Sequence, residues 1–359
     1  MTDNVWWGTY PEAGLGSPTG VGEGIWRQTP QDAALALELP APSFMVLHPS
    51  LPLLYAVSEE DESVVHAVDV SEPAAPRVVS SVATLGAGAC HVLIAADART
   101  LYVSHYTSGT LAVVSVGEDG HFTDDSPAQV FSHQGSGPNA DRQDAPHAHF
   151  AGFGPGGHHV LVADLGTDEL RRYALRPDGL LDNHGVAARL PGGSGPRHFV
   201  VNGDLIYVAC ELTGTLVTLR WDAHAGEAEA IDIQDVTTAP PRTADQNYPS
   251  HLILHDSLLL TGVRGADVIS VHDLSPEGHL NYRTAFDAGH WPRHFAINGD
   301  TLHVGAERGH EVRAYALADV EALDPEQEVG QVVTLAHAAA ALPSPAFAIG
   351  HRGSGTFRA

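Results

Sequence analysis

Four arginines, Arg197, Arg264, Arg293 and Arg308, stand at the ends of short apolar runs, and His147 and Glu211 occupy comparable places. These residue types suit one kind of chemistry. Guanidinium groups hold a phosphate or carboxylate bidentately and stabilise an oxyanion, while a His or Glu takes a proton from water. Together they would bind a small anion and move a proton beside it. The chain has no G-x-S-x-G elbow, so a serine nucleophile is not expected. The set can act only if elements far apart in the sequence bring it to one place.

Those elements are announced by repetition. A Pro or small residue, a second residue, and then His, Phe or a small residue open an apolar strand. The copies are Pro42-Ser43-Phe44, Ala89-Cys90-His91, Pro146-His147-Ala148, Pro196-Arg197-His198, Pro249-Ser250-His251, Pro292-Arg293-His294 and Pro345-Ala346-Phe347. Seven copies with a period near fifty residues, each read as strands, are the mark of propeller blades. In the fourth and sixth copies Asn202-Gly203 and Asn298-Gly299 separate two apolar runs, a strong hairpin signal. The runs are almost continuously apolar, as inner strands covered on both faces should be. More polar outer strands follow, such as Leu170 to Leu175 and Leu216 to Trp221, and a helical pattern shows only over Ala318 to Leu323. The sequence predicts an all-β fold, a single seven-bladed β-propeller domain over residues 1–359. Strands around Trp6–Tyr10 and Gly24–Arg27 should close the last blade and remove its exposed edge.

Hairpin geometry then orders the candidates. The start of a blade's first strand and the end of its second lie at the same end of the hairpin, so two rings of side chains should meet at one mouth of the channel. The first ring is Ser43, Cys90, His147, Arg197, Ser250, Arg293 and Ala346, flanked by His91, His198, His251 and His294. The second holds Glu59, Glu60, His105, Tyr106, Asp164, Glu211, Arg264, Glu307 and Arg308. A His recurring in four blades suits packing, whereas His147 and Arg197 stand where other copies carry Ser, Cys or Ala. We therefore read His147, Arg197, Glu211 and Arg264 as catalytic and His149, His198, His251, Arg293 and His105 as substrate contacts. His147 or Glu211 would be the base, with Arg197 and Arg264 stabilising the oxyanion and holding an anionic substituent. A loop over His133–Asp144 should overlie the mouth.

Composition narrows the partners. The formal net charge is −26, and all 18 basic residues are arginine. Such a surface disfavours nucleic acid or an anionic membrane, which require clustered cations. The start, MTDNVWWGTY, lacks a basic segment followed by an apolar one, and no run reaches membrane-spanning length. Cys90 and Cys210 make no disulfide framework and are expected as free thiols. The expectation is a cytoplasmic protein. His147 and His149 share one face of a strand and could form a metal site, but many of the histidines recur as blade residues, so the reading adopted has no metal or cofactor and a small anion as partner.

The ordered motifs also resemble a known family. Gly8-Thr9-Tyr10 with Gly22-Glu23-Gly24-Ile25, Pro42-Ser43-Phe44 leading to Leu54-Tyr55-Ala56-Val57, and Cys90-His91-Val92 leading to His105-Tyr106-Thr107-Ser108-Gly109 are similar to segments of the propeller lactonases. So are Pro146-His147, Gly195-Pro196-Arg197-His198-Phe199 with Glu211-Leu212, and Pro292-Arg293-His294-Phe295. That family includes 6-phosphogluconolactonases and a fungal carboxymuconate lactonizing enzyme. The resemblance implies a metal-independent site of one His, two Arg and one Glu, here His147, Arg197, Arg264 and Glu211. It implies hydrolysis of a sugar lactone, most naturally 6-phosphogluconolactone. A muconate-type cycloisomerase or a non-enzymatic anion-binding propeller are the alternatives. The chain departs from the family at His105, where Asn is usual before the Tyr.

Overall fold

The computed structural model of the chain describes residues 4–11, 20–30, 32–324 and 330–351; the outermost residues of the expected 1–359 domain lie outside these. The described residues form seven four-stranded antiparallel sheets, and in each the strands are neighbours in sequence order except at the closure. These are the seven blades. Their innermost strands are Met45–Leu47, Ala89–Ile94, Ala148–Phe153, Pro196–Asn202, Tyr248–His255, Pro292–Asn298 and Pro345–His351. The seventh blade mixes the two ends of the chain. Pro345–His351 pairs with Asn4–Thr9, and Gly24–Gln28 and Ala33–Glu38 follow outward. The expected closure is present, with three N-terminal strands rather than two. The short helix is Leu317–Glu321. No helix among the described residues is long and apolar enough to cross a membrane.

The core is distributed between blades. Leu161, Ala163, Phe199, Ile206 and Val208 pack together across the third and fourth blades, and Trp6, Ile25, Met45, Leu54 and Phe347 across the seventh and first. Both faces of each middle sheet are thus covered, which explains the unbroken apolar runs. A polar lock recurs: the hydroxyls of Tyr55, Tyr102 and Tyr207 donate to the carbonyls of Gly120, Gly179 and Gly278, each in the next blade, at 2.8–2.9 Å.

One local irregularity positions the site. The inner strands carry a bulge at their channel end. Pro196 pairs with Cys210 and His198 with Ala209, leaving Arg197 without an opposite residue. Cys90 is bulged in the same way between Ala89 and His91, and Arg293 between Pro292 and His294. A bulge turns its extra residue out of the ladder, here toward the channel. In the third blade Ala148 pairs with Asp164 and Phe150 with Ala163. The bulged residue there is His149. This corrects the sequence alignment of that blade by two residues: His147 precedes the strand, and His149 holds the ring position equivalent to Arg197.

Candidate active site at the channel mouth

The bulge residues and the ends of the second strands surround a cavity of about 680 Å³. Its lining includes His147, His149, Arg197, Glu211, Arg264 and Arg293, all expected from sequence, and also Glu59, Cys90, Tyr106 and Arg308. Glu211 is the hub. It is 4% exposed and accepts from Arg264 Nη2 at 2.7 Å and Arg142 Nη2 at 2.9 Å, with Arg197 Nε at 3.0 Å. Burial alone would raise its pKa, but Arg264, Arg142 and Arg197 outweigh burial and hold the carboxyl well below the usual range. Glu211 is therefore a poor base and a good organiser: it draws three guanidinium groups to one point.

Arg197 is fixed from below. Its Nη1 donates to the Ser250 carbonyl and lies 3.1 Å from His198 Nε2. Burial and the neighbouring Arg264 push its pKa down to about 9, so it stays charged at neutral pH. Arg264 is held by the carbonyls of Tyr248 at 3.2 Å and Pro249 at 3.0 Å. Arg293 pairs with the buried Glu307 at 3.3 Å and donates to the Tyr10 hydroxyl at 2.5 Å.

His147 is set for proton transfer. Its Nδ1 stands 2.7 Å from the Tyr106 carbonyl oxygen, which can only accept, so this contact is filled by a proton on Nδ1. The ring stacks on Tyr106 with centroids 4.5 Å apart and planes 12° from parallel. Nε2 lies 3.3 Å from the exposed Asp144 carboxylate, a group that would accept from the imidazolium once it formed.

Three expected contacts lie elsewhere. His105 is fully buried between strands, with Nε2 2.7 Å from Thr84 Oγ1 and Nδ1 3.0 Å from Thr110 Oγ1; it does not line the cavity. His198 and His251 sit one layer below the mouth in a closed ring of one aromatic side chain per blade: Phe44, His91, Phe150, His198, His251, His294 and Phe347. Successive centroids around it are 3.9 to 5.2 Å apart. Neither lines the mouth cavity. They are packing residues, as a His recurring in four blades suggested. Glu60 is outside the cavity lining, and Asp164 caps the backbone N–H groups of His147 and Thr167 at 3.0 Å.

Sequence reasoning did not single out Arg142 or Trp291. Arg142 lies in the loop expected over the mouth, and that loop is tethered by Gln143, whose Nε2 donates to Asp168 Oδ1 at 2.7 Å and the Leu165 carbonyl at 2.9 Å. Trp291 has a left-handed backbone, φ 66°, rare for a bulky residue, held by its N–H donating to Asp267 at 3.0 Å. The guanidinium of Arg308 lies 3.4 Å from its ring centroid and that of Arg264 at 5.7 Å. Nothing in the sequence marks this Trp, since the strained turn and the stacking are both tertiary. The Cys90 thiol is raised far above its ordinary pKa by burial, so it is no nucleophile. Among the described residues the one cluster with metal-ligand spacing is His255, Asp256 and Glu321, which lies outside the cavity lining.

Known proteins share this architecture. The chain is 29% identical to the 6-phosphogluconolactonase of Bacillus subtilis over 306 residues, covering 81% of this chain and 84% of that protein. A Pseudomonas aeruginosa periplasmic gluconolactonase superposes with a TM-score of 0.81 at 24% identity, over 98% of this chain and 99% of the other. A Lactobacillus plantarum protein superposes with a TM-score of 0.83 at 22% identity, over 98% and 100%. At those identities the structural likenesses speak to fold. Residues 14–333 match the family described as lactonase, 7-bladed beta-propeller, and on that match the chain belongs to the seven-bladed propeller lactonases.

Proposed function

We propose that the protein hydrolyses a phosphorylated sugar lactone, with 6-phosphogluconolactone as substrate. The observation that carries this reading is the convergence of Arg142, Arg197 and Arg264 on Glu211 beside a His147 whose Nδ1 is held by the Tyr106 carbonyl and whose Nε2 faces Asp144. In this reading His147 Nε2 removes a proton from water as it attacks the lactone carbonyl. Arg197 stabilises the oxyanion, a role that needs a cation already in place before charge develops. Arg264 and Arg308 receive the phosphate; Arg308 has no carboxylate within ion-pair distance among the described residues and offers an unspent charge. Similarity to the Bacillus subtilis 6-phosphogluconolactonase supports the choice of substrate.

The test is hydrolysis of 6-phosphogluconolactone and of unphosphorylated gluconolactone, each with and without chelator. Chelator-resistant turnover that prefers the phosphorylated lactone is expected. Arg197→Ala should lower kcat/KM by about 10²–10³-fold, as removal of an oxyanion donor does, with the circular dichroism of a folded propeller retained. Full activity in that variant would remove Arg197 from the reaction.

A further inference from the structure

We propose that Glu59 is the general acid of the reaction, delivering the proton that the lactone ring oxygen needs as it leaves. This rests on the hydrolase reading above and adds the step which that reading leaves open. His147 and Arg197 account for attack and for the charge on the carbonyl oxygen. Collapse of the tetrahedral intermediate must still expel an alkoxide, a poor leaving group unless protonated.

Glu59 ends the second strand of the first blade and lines the same cavity as His147, with 6% of its surface exposed. What faces its carboxyl differs from what faces Glu211. Tyr10, fully buried, donates its hydroxyl proton to Glu59 Oε2. The same phenol oxygen accepts from Arg293 Nη2 at 2.5 Å. Arg293 is in turn neutralised by Glu307, and its guanidinium lies over the Tyr10 ring, 4.5 Å from the centroid. No cation stands within ion-pair distance of Glu59 among the described residues, whereas three guanidiniums surround Glu211. A buried carboxyl whose direct partner is a neutral phenol is costly to ionise. Burial pushes its pKa up against the pull of Arg293, the hydrogen bonds of Ser43 and Tyr10, and the charge of Arg197. Two glutamates in one cavity with pKa values pushed apart are the pattern that separates an acid from a permanently charged residue. Tyr10 and Arg293 are positioning residues here: Tyr10 holds Oε2, and Arg293 holds Tyr10.

The step balances without a co-reactant. Water gives its hydroxyl to the carbonyl carbon and its proton to His147. The bond from that carbon to the ring oxygen breaks, and the ring oxygen takes the proton of Glu59. His147 holds one extra proton and Glu59 lacks one. Exchange with solvent through the open mouth restores both, and the product carboxylic acid ionises.

The closing experiment uses the same substrate in ¹⁸O-labelled water with wild-type protein and Glu59→Gln, an isostere that cannot give up a proton. Glu59→Gln should lower kcat by about 100-fold or more and leave KM near wild type. Lactone recovered before completion should carry label in its carbonyl oxygen, because an intermediate that cannot expel the ring oxygen returns to lactone. Infrared spectra at neutral pH should show a carboxylic-acid band in wild type that Glu59→Gln lacks, a readout independent of turnover. Hydrolysis that falls without label entering the lactone, hydrolysis that does not fall, or an unchanged infrared band each overturns the assignment. Wild-type protein inactive on both lactones overturns the hydrolase reading itself, an outcome distinct from an active wild type whose Glu59→Gln variant behaves like it.

Discussion

The channel holds two adjacent layers built from neighbouring positions of the same repeated strand, and they have opposite character. The upper layer runs Ser43, Cys90, His149, Arg197, Ser250, Arg293, Ala346; the lower runs Phe44, His91, Phe150, His198, His251, His294, Phe347. The lower layer changes only between Phe and His, flat rings of similar size that pack into a plug. The upper layer changes in size, polarity and charge from blade to blade. Seven-fold packing requires uniformity, and a lactone with a single carbonyl requires asymmetry. One residue along the strand, the repeat passes from architecture to chemistry. The bulge makes this possible, because it frees the upper residue from the ladder while its neighbour stays paired.

The layers also handle charge differently, which gives ways to separate them. The largest effect should come from Glu211→Gln. It leaves Arg142, Arg197 and Arg264 without their shared counter-ion, and breaking a buried ion pair costs about 3–5 kcal/mol. Urea unfolding should report that loss, together with loss of lactone hydrolysis. A variant as stable as wild type would mean that the arginines are compensated elsewhere. The next effect belongs to the lower layer and depends on pH. Burial, and then the charge of Arg197 above, push His251 down to about 3. The unfolded chain takes up its proton near pH 6.5, so the stability from keeping His251 neutral is complete above that pH. It is lost as pH falls from 6.5 toward 3. At pH 5 that loss is about 2 kcal/mol. His251→Phe, matching the residue at three other positions of the ring, should flatten the acid limb of a stability–pH curve by this amount. Glu211 behaves in the other direction of charge: held ionised in the fold, its contribution persists until pH falls below the usual carboxylate range. The plug should therefore weaken in mild acid while the mouth remains paired, and parallel acid limbs for wild type and His251→Phe would count against it.

The blade count, the closure and the upper-ring arginines were legible because each depends on local pattern: Pro and a small residue before an apolar run, Asn-Gly between runs, and an Arg at the bulge. The third blade was misaligned for a physical reason. Pro146-His147 copies the opening of Pro196-Arg197, and the backbone pairing that places Ala148 opposite Asp164 leaves no trace in residue type. His105 ends a second strand as Glu211 does, yet its ring turns sideways to Thr84. Sequence locates such a residue along the strand and says nothing of the direction its side chain takes. Arg142 and Trp291 depend on loops docked from afar, Arg142 through Gln143 and Asp168, Trp291 through Asp267. Glu59 was placed in the second ring by the hairpin argument, but its distinction from Glu211 lies in the absence of a paired cation among the described residues, which only the packed structure displays.

The smallest expected effect tests where the upper layer ends. Arg142 contacts Glu211 at 2.9 Å and the Tyr106 hydroxyl at 3.2 Å, but its side chain is 38% exposed, against 4% for Arg197 and 6% for Arg264. Solvent screens such a pair, and exposed ion pairs contribute about 0–1 kcal/mol. Glu211 keeps two buried partners when Arg142 is removed. Arg142→Ala should therefore leave the urea midpoint close to wild type and lower kcat/KM for the phosphorylated lactone by about fivefold, the equivalent of roughly 1 kcal/mol. The change should fall on KM more than on kcat, since in the proposed reading Arg142 only adds its charge, from a loop above the cavity, to the field in which Arg264 and Arg308 receive the phosphate. It should be smaller still for unphosphorylated gluconolactone, which brings no anion for the loop to meet. A loss as deep as that of Arg197→Ala would place Arg142 within the catalytic layer and make the docked loop, rather than the bulges alone, the frame on which the reaction is built.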